Sequence, residues 1–327
     1  MSRVVVFDRF GGPEVLHLLD ERPADPSPGE VRVRMQAAAV NPIDAMARSG
    51  ASPAPVPLPH ARLGVEGTGV VDVVGDGVTD THGGDPVIVT AIPDAVAGGS
   101  YADHVVVPAA DLIPRPPQLS VPEAAATWVG FSTAYGALVE VGGMRPGDHV
   151  LVTGATGGVG RAAIDVANRL GAVPIALTRR AARAAELTAA GAAAVVAADR
   201  DDVVEEVRRL TEGRGADLVL DLVRGPGQAD LVRATRTGGT VVAAGFLDPR
   251  PTPEPSRSDV TVVGYRGFDH LADPAVVGRM AAFFADGVRL GTLRPALDRT
   301  FPLEDVVEAH RRFDSGANAG RKIVLTM

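Results

Sequence analysis

The sequence predicts an α/β protein in which a doubly wound parallel sheet is inserted into a β-rich unit. Three observations carry that expectation. The first third is mostly short strands and glycine-rich connections, strands and helix-length segments alternate from residue 150 onward, and a last strand at 322–325 lies far from any neighbour in sequence. At 327 residues the chain exceeds one ordinary domain, and 46% hydrophobic content suffices for more than one core.

Residues 3–7 and 15–19 read as paired strands around Gly11-Gly12-Pro13. Residues 31–35 alternate as a half-buried strand does, and 41–50 form a short helix with proline in its first turn and a glycine stop. Strands follow at 67–75, 86–90 and 100–107, giving a compact, barrel-like unit. Helices are expected at 122–127 and 131–141. Six strands come next, at 150–153, 173–178, 194–197, 217–221, 240–244 and 260–264, in two halves of three. Right-handed crossovers would bring the carboxyl ends at Thr153, Thr178, Asp221 and Gly245 to one edge. Amphipathic helices at 274–286 and 303–313 precede the last strand, which is expected to return to the N-terminal unit.

The most informative stretch runs from the first of the six strands through Gly154-Ala155-Thr156-Gly157-Gly158-Val159-Gly160 into a helix with Ile164, Ala167 and Leu170 on one face. Ala155-x-Gly157-x-x-Gly160 between strand and helix is a dinucleotide turn: Gly157 lets backbone approach a pyrophosphate, Gly160 lets helix and strand pack closely, and the helix N-terminus faces the negative charge. Ala155, Thr156, Gly157, Gly158 and Val159 are therefore candidate cofactor contacts. At the end of the next strand, where an NAD-binding protein places Asp or Glu on the ribose 2′-hydroxyl, this chain has Thr178-Arg179-Arg180, with Arg183 one turn on. Guanidinium groups suit a 2′-phosphate, so NADPH is expected over NADH. The competing reading, solvated surface arginines, has weight because Lys322 is the only lysine.

A net charge of −8 and a pI near 5.4 argue against nonspecific binding to nucleic acid or to an anionic membrane. Cysteine is absent, which excludes disulfides, thiolate nucleophiles and cysteine-ligated zinc, and fits a reducing cytoplasm. No basic segment with an apolar core opens the chain, and no apolar run approaches about 18 residues, so neither a signal peptide nor a membrane span is expected.

Ordered matches extend along the whole chain: Asn41-Pro42-Ile43-Asp44 with Arg48-Ser49-Gly50, Gly64-Val65-Glu66-Gly67-Thr68-Gly69, Gly84-Asp85-Pro86-Val87, Gly99-Ser100-Tyr101-Ala102-Asp103, Gly147-Asp148-His149-Val150, Ala155 to Gly160, Gly215-Ala216-Asp217 and Gly320-Arg321-Lys322. In this order and spacing the chain resembles the medium-chain dehydrogenase/reductase superfamily, and within it the zinc-free quinone oxidoreductase (zeta-crystallin-like) branch. The resemblance implies a Rossmann NADPH-binding domain (123–264) inserted into a GroES-like catalytic domain (1–122 plus 265–327), with the active site between them. It also implies a homodimer paired through the strand at 260–264. Zinc relatives carry a catalytic Cys, and a His where this chain has Val65; with no Cys, a zinc mechanism is not expected.

By resemblance the reaction is hydride transfer from NADPH to a quinone or to the β-carbon of an α,β-unsaturated carbonyl. Asn41 matches the position that borders nicotinamide and substrate. Asp44 shares that motif as a proton-transfer candidate, with anchoring of its own helix an equal alternative. Thr127, Gly245 and Phe246 match cofactor contacts, and Met46, Trp128, Phe131 and Tyr265 are candidates for the substrate pocket, although a packed core residue is the commoner fate of a lone Trp. Tyrosines that relatives carry at the position of Met46 or near Ala51 are missing, which counts against an enoyl-thioester reductase. Their absence keeps open a biosynthetic tailoring enzyme with specialised or non-redox chemistry, and the fold itself keeps open a nucleotide-binding protein without turnover. His270 beside Asp269 resembles a dyad, but a solvated loop histidine is the commoner outcome.

Overall fold

The computed structural model describes residues 1–327 except Pro53, Ala91, Pro93 and Asp94, and except the side chains of Ala97, Phe268 and Asp269. The Asp269 half of the His270 dyad therefore lies outside the described residues. Two compact units are present, residues 1–129 with 295–327 and residues 130–294.

The first unit holds β1 (Ser2–Phe7), β2 (His17–Glu21), β3 (Glu30–Ala39), β4 (Ala61–Arg62), β5 (Gly67–Val74), β6 (Pro86–Val89), β7 (His104–Pro108) and β8 (Leu112–Pro114). The second holds β9 (His149–Val152), β10 (Val173–Thr178), β11 (Ala194–Ala197), β12 (Ala216–Asp221), β13 (Thr235–Ala243) and β14 (Thr261–Gly264). The chain then returns to the first unit with β15 (Leu297–Pro302) and β16 (Lys322–Thr326). β16 pairs antiparallel with β3, Val324 opposite Ala39, as the distant last strand required.

In the first unit the strands run β15-β16-β3-β5-β6-β8, with β7 on β3, and a separate sheet runs β2-β1-β4. The second strand of the hairpin around Gly11-Gly12-Pro13 starts two residues later than expected: Pro13–Val15 is a 3-10 turn, and β2 begins at His17. Alternating valines at 31 and 33 with Met35 on β3 point into one core with Val71, Val87 and Val89, while Val5 and Phe7 join Ile323 and Leu325 in another.

In the second unit the six strands are parallel in the order β11-β10-β9-β12-β13-β14. This doubly wound order reverses at β9, and ligands of such sheets bind outside the carboxyl ends of the strands there. β13 begins five residues before the expected 240 because Thr235 already pairs with Ala216; the register then shifts before Thr240 meets Leu218. Gly238, at φ +70°, lies within that irregularity.

The unit boundaries fall at 129/130 and 294/295, not at 122/123 and 264/265. Packing explains both shifts. Helix Val121–Ala125 and Ala126 stay with the first unit, where Ala125 and Ala126 contact Ala37, Ala39 and Val324. Helix Pro274–Arg289 stays with the second, where Phe284 packs against Phe131 with ring centroids 5.8 Å apart and Arg169 pairs with Asp286. The expected helix at 131–141 starts earlier, at Trp128, and ends as a π-helical turn over Gly136–Val141.

Candidate functional site

In the second unit, the strand–turn–helix of the glycine motif folds as its spacing requires. β9 leads into Gly154 at φ +56°, and Gly157 caps helix Gly158–Arg169. A Cβ at Gly160 would stand 2.4 Å from the Gly154 carbonyl oxygen and 2.6 Å from the Ala155 Cα, so glycine is what lets the helix close on the turn. Ala155 is buried; Thr156, Gly157, Gly158 and Val159 are half-buried at the helix N-terminus.

A buried network behind the turn holds the neighbouring strand ends. The Thr153 hydroxyl donates to Asp221 Oδ1 (3.1 Å), Gln228 Nε2 donates to Asp221 Oδ2 (2.9 Å), and the Gly245 N–H donates to the Asp221 carbonyl (3.0 Å). Gly245 itself admits no side chain, because a Cβ would fall 1.8 Å from the Leu222 carbonyl oxygen. Phe246, next along, is 45% exposed at this edge of the sheet.

Thr178 is buried at the end of β10 and Arg179 and Arg180 are exposed beyond it. Arg183 differs, since it pairs with Glu186, which also binds Arg161. Asp199, after β11, reaches the same turn, its carboxylate accepting the Ala181 N–H at 2.8 Å. The sequence reading missed this acidic group because it sits in the next strand's loop.

In the first unit, Asn41 caps helix Pro42–Ser49 and joins a buried polar cluster. Its Nδ2 donates to Glu66 Oε1 (3.0 Å) and to the Ala39 carbonyl (3.2 Å), and Lys322 Nζ donates to its Oδ1. Lys322 also pairs with Glu66 Oε1 at 2.6 Å, and Glu66 Oε2 accepts the Val129 N–H at 2.9 Å. Glu66 and Lys322 were legible only as parts of larger motifs; the signal that singles out Lys322 is its being the one lysine.

Asp44 is anchored, not free. Its carboxylate accepts the Asn41 N–H (2.8 Å), the Gly64 N–H (2.9 Å) and the Tyr101 hydroxyl (3.1 Å). Burial raises its pKa to about 6, with the two backbone bonds and Tyr101 opposing the rise. Nearby, Arg48 Nη1 bonds His310 Nδ1 at 3.1 Å and Arg48 Nη2 pairs with Asp314, while burial, then the Arg48 charge, pushes His310 down to about 3.

The remaining candidates are mostly buried. Thr127 is buried and donates its hydroxyl to the Ala124 carbonyl at 2.9 Å. Trp128, Phe131 and Tyr265 are buried core side chains, and Tyr265 packs on His270 at 5.2 Å between ring centroids. Only Met46 of the four pocket candidates is half-exposed.

The family models for the alcohol dehydrogenase GroES-like domain and for zinc-binding dehydrogenases match residues 27–117 and 190–325. A relative, the rat synaptic vesicle membrane protein VAT-1 homolog, is 30% identical over 346 residues, covering 99% of this chain and 84% of its own. A solved NAD-dependent alcohol dehydrogenase is 34% identical over 99% of both chains with a TM-score of 0.84. The Escherichia coli quinone oxidoreductase solved with NADPH is 25% identical over 99% of this chain and 100% of that one, with a TM-score of 0.88. The chain thus belongs to the medium-chain dehydrogenase/reductase superfamily, in its quinone oxidoreductase branch.

Proposed function

We propose that this protein is an NADPH-dependent, zinc-independent reductase that transfers hydride to a quinone or to the β-carbon of an α,β-unsaturated carbonyl. The observation that carries the cofactor assignment is Arg179 and Arg180, exposed beyond β10 and beside the glycine turn, with no acidic residue on their own segment. The residues present fit a dinucleotide: Gly160 permits the tight turn, the N-terminus of helix Gly158–Arg169 offers backbone N–H groups for a pyrophosphate, and the two guanidiniums suit a 2′-phosphate. The bound cofactor supplies hydride. Phe246 offers an exposed ring at the same edge.

Zinc independence rests on donor chemistry. The chain has no Cys, Val65 stands where zinc relatives place His, and no group of three His, Asp or Glu among the described residues could hold a metal. For partners, we propose a homodimer through the outer edge of β14, the last strand of its sheet.

NADH is the second reading, favoured by the Asp199 carboxylate at the Ala181 N–H and by the NAD-dependent relative. Oxidation of NADPH and NADH against a panel of small quinones and enones tests both. Turnover with NADPH on at least one acceptor supports the proposal; a preference for NADH refutes the 2′-phosphate assignment.

A further inference from the structure

The cations of this chain are 31 arginines and one lysine, and that lysine is buried at the centre of the Asn41 cluster. Lys322 opens β16, its own N–H donating to the Ala296 carbonyl at 2.8 Å and its strand held between β15 and β3. Glu66 is fully buried, and Lys322 is 8% exposed. Three distant segments thus meet at one ammonium.

The chemistry of these three groups leaves Asn41 a single orientation. An ammonium only donates, and a carboxylate only accepts. Asn41 satisfies both at once only with Oδ1 toward Lys322 and Nδ2 toward Glu66. The reversed amide would set N–H groups against the ammonium and oxygen against the carboxylate. The second Nδ2 proton is taken by the Ala39 carbonyl, so both donors of the amide are spent inside the protein. The amide of Asn41 is left with Oδ1 as its one accepting atom and with no N–H to offer.

We infer that Lys322 is the positioning residue of this site: together with Glu66 it locks the Asn41 amide so that Asn41 meets a ligand only as a hydrogen-bond acceptor. A donor for oxygen charge developing on a substrate then comes from elsewhere. Lysine suits this place better than arginine, because one compact ammonium reaches both the Glu66 and Asn41 oxygens, whereas a planar guanidinium directs its N–H groups along a fixed fork.

A single lysine makes the test direct. Protein grown with ¹⁵N-lysine has one side-chain ammonium to observe by NMR, whether or not the enzyme turns over. The expected result is one slowly exchanging ammonium resonance near neutral pH that shifts in N41A and in E66Q. An ammonium that exchanges as fast in the native protein as in urea-unfolded protein overturns the inference.

The kinetic arm rests on the reductase reading. Lys322→Met with Glu66→Gln removes both charges of the ion pair together, so neither partner is left buried alone, and it frees the amide to reverse. This double variant and Lys322→Arg are expected to keep the wild-type melting temperature within a few degrees and NADPH affinity within about threefold, while kcat falls at least tenfold. Folded variants with unchanged kcat overturn the positioning role. Wild-type protein that turns over no acceptor contradicts the reductase reading instead, and the ammonium resonance still decides the place of Lys322.

Discussion

Replacing Gly160 by alanine puts a methyl group where the backbone of the glycine turn already stands. Its nearest neighbours would be the Gly154 carbonyl oxygen at 2.4 Å, the Ala155 Cα at 2.6 Å and the Gly154 carbonyl carbon at 2.9 Å. All three are backbone or tied to it, so relief requires the turn and the start of helix Gly158–Arg169 to separate by close to 1 Å. Overpacking of this kind costs about 1–3 kcal/mol. For a unit of this size that lowers the melting temperature by roughly 3–10 °C. Two other glycines calibrate the effect. At Gly157 a Cβ meets only the Gly154 oxygen, at 3.3 Å, so alanine should cost less than about 1 kcal/mol in stability but weaken dinucleotide binding at least tenfold. Gly278 is exposed within helix Pro274–Arg289 with nothing within 4 Å, so alanine there should stabilise by about 0.5–1 kcal/mol. Differential scanning calorimetry with NADPH titration reads all three. A Gly160→Ala protein as stable as wild type, or a Gly157→Ala protein destabilised equally, would refute the close-packing assignment.

Asp44 and His310 give opposite pH signatures. The Asp44 pKa, raised from about 4 to about 6, makes the folded state hold a proton that the unfolded chain releases, so this contribution to stability is lost as pH rises from 4 to 6. At about 1.4 kcal/mol per pH unit, that is about 3 kcal/mol. His310, lowered from 6.5 to about 3, contributes stability that is full above pH 6.5 and lost as pH falls toward 3. Relative to wild type, His310→Gln should therefore gain stability on going from pH 6 to pH 4, and Asp44→Asn should lose it; urea titrations at the two pH values that show parallel profiles would contradict both shifts. Phe246→Ala, at an exposed ring, should leave the melting temperature within about 1 °C and reduce NADPH affinity, which isothermal titration measures. Val262→Pro on β14 should convert the proposed dimer to monomer in light scattering, because proline removes a ladder N–H from the strand.

The parallel sheet was legible because its strands are short apolar runs separated by helix-length segments, and five of its six starts fall within one residue of expectation. β13 starts before the expected 240 because its first residues pair across an irregularity that holds two adjacent glycines, Gly238 and Gly239, and no run of apolar side chains marks them as strand. Unit boundaries were less legible. Sequence shows that a segment is amphipathic but not which core its apolar face meets, and Phe284 on Phe131 decided that for helix Pro274–Arg289. The site divides in the same way. The glycine turn follows from local spacing, while the Asn41–Glu66–Lys322 cluster joins residues 256 and 281 positions apart, beyond any local pattern. Arg183 looked equivalent to Arg179 until the structure paired it with Glu186.

The 2′-phosphate assignment is tested most directly by fluorescence titration of NADPH and NADH on wild type, on an Arg179→Ala/Arg180→Ala double variant and on Arg183→Ala. Wild type should bind NADPH at least tenfold more tightly than NADH. The double variant should lose that preference while binding NADH unchanged, and Arg183→Ala should lose much less. Equal affinity of wild type for the two cofactors, or an undiminished NADPH preference in the double variant, would contradict the account.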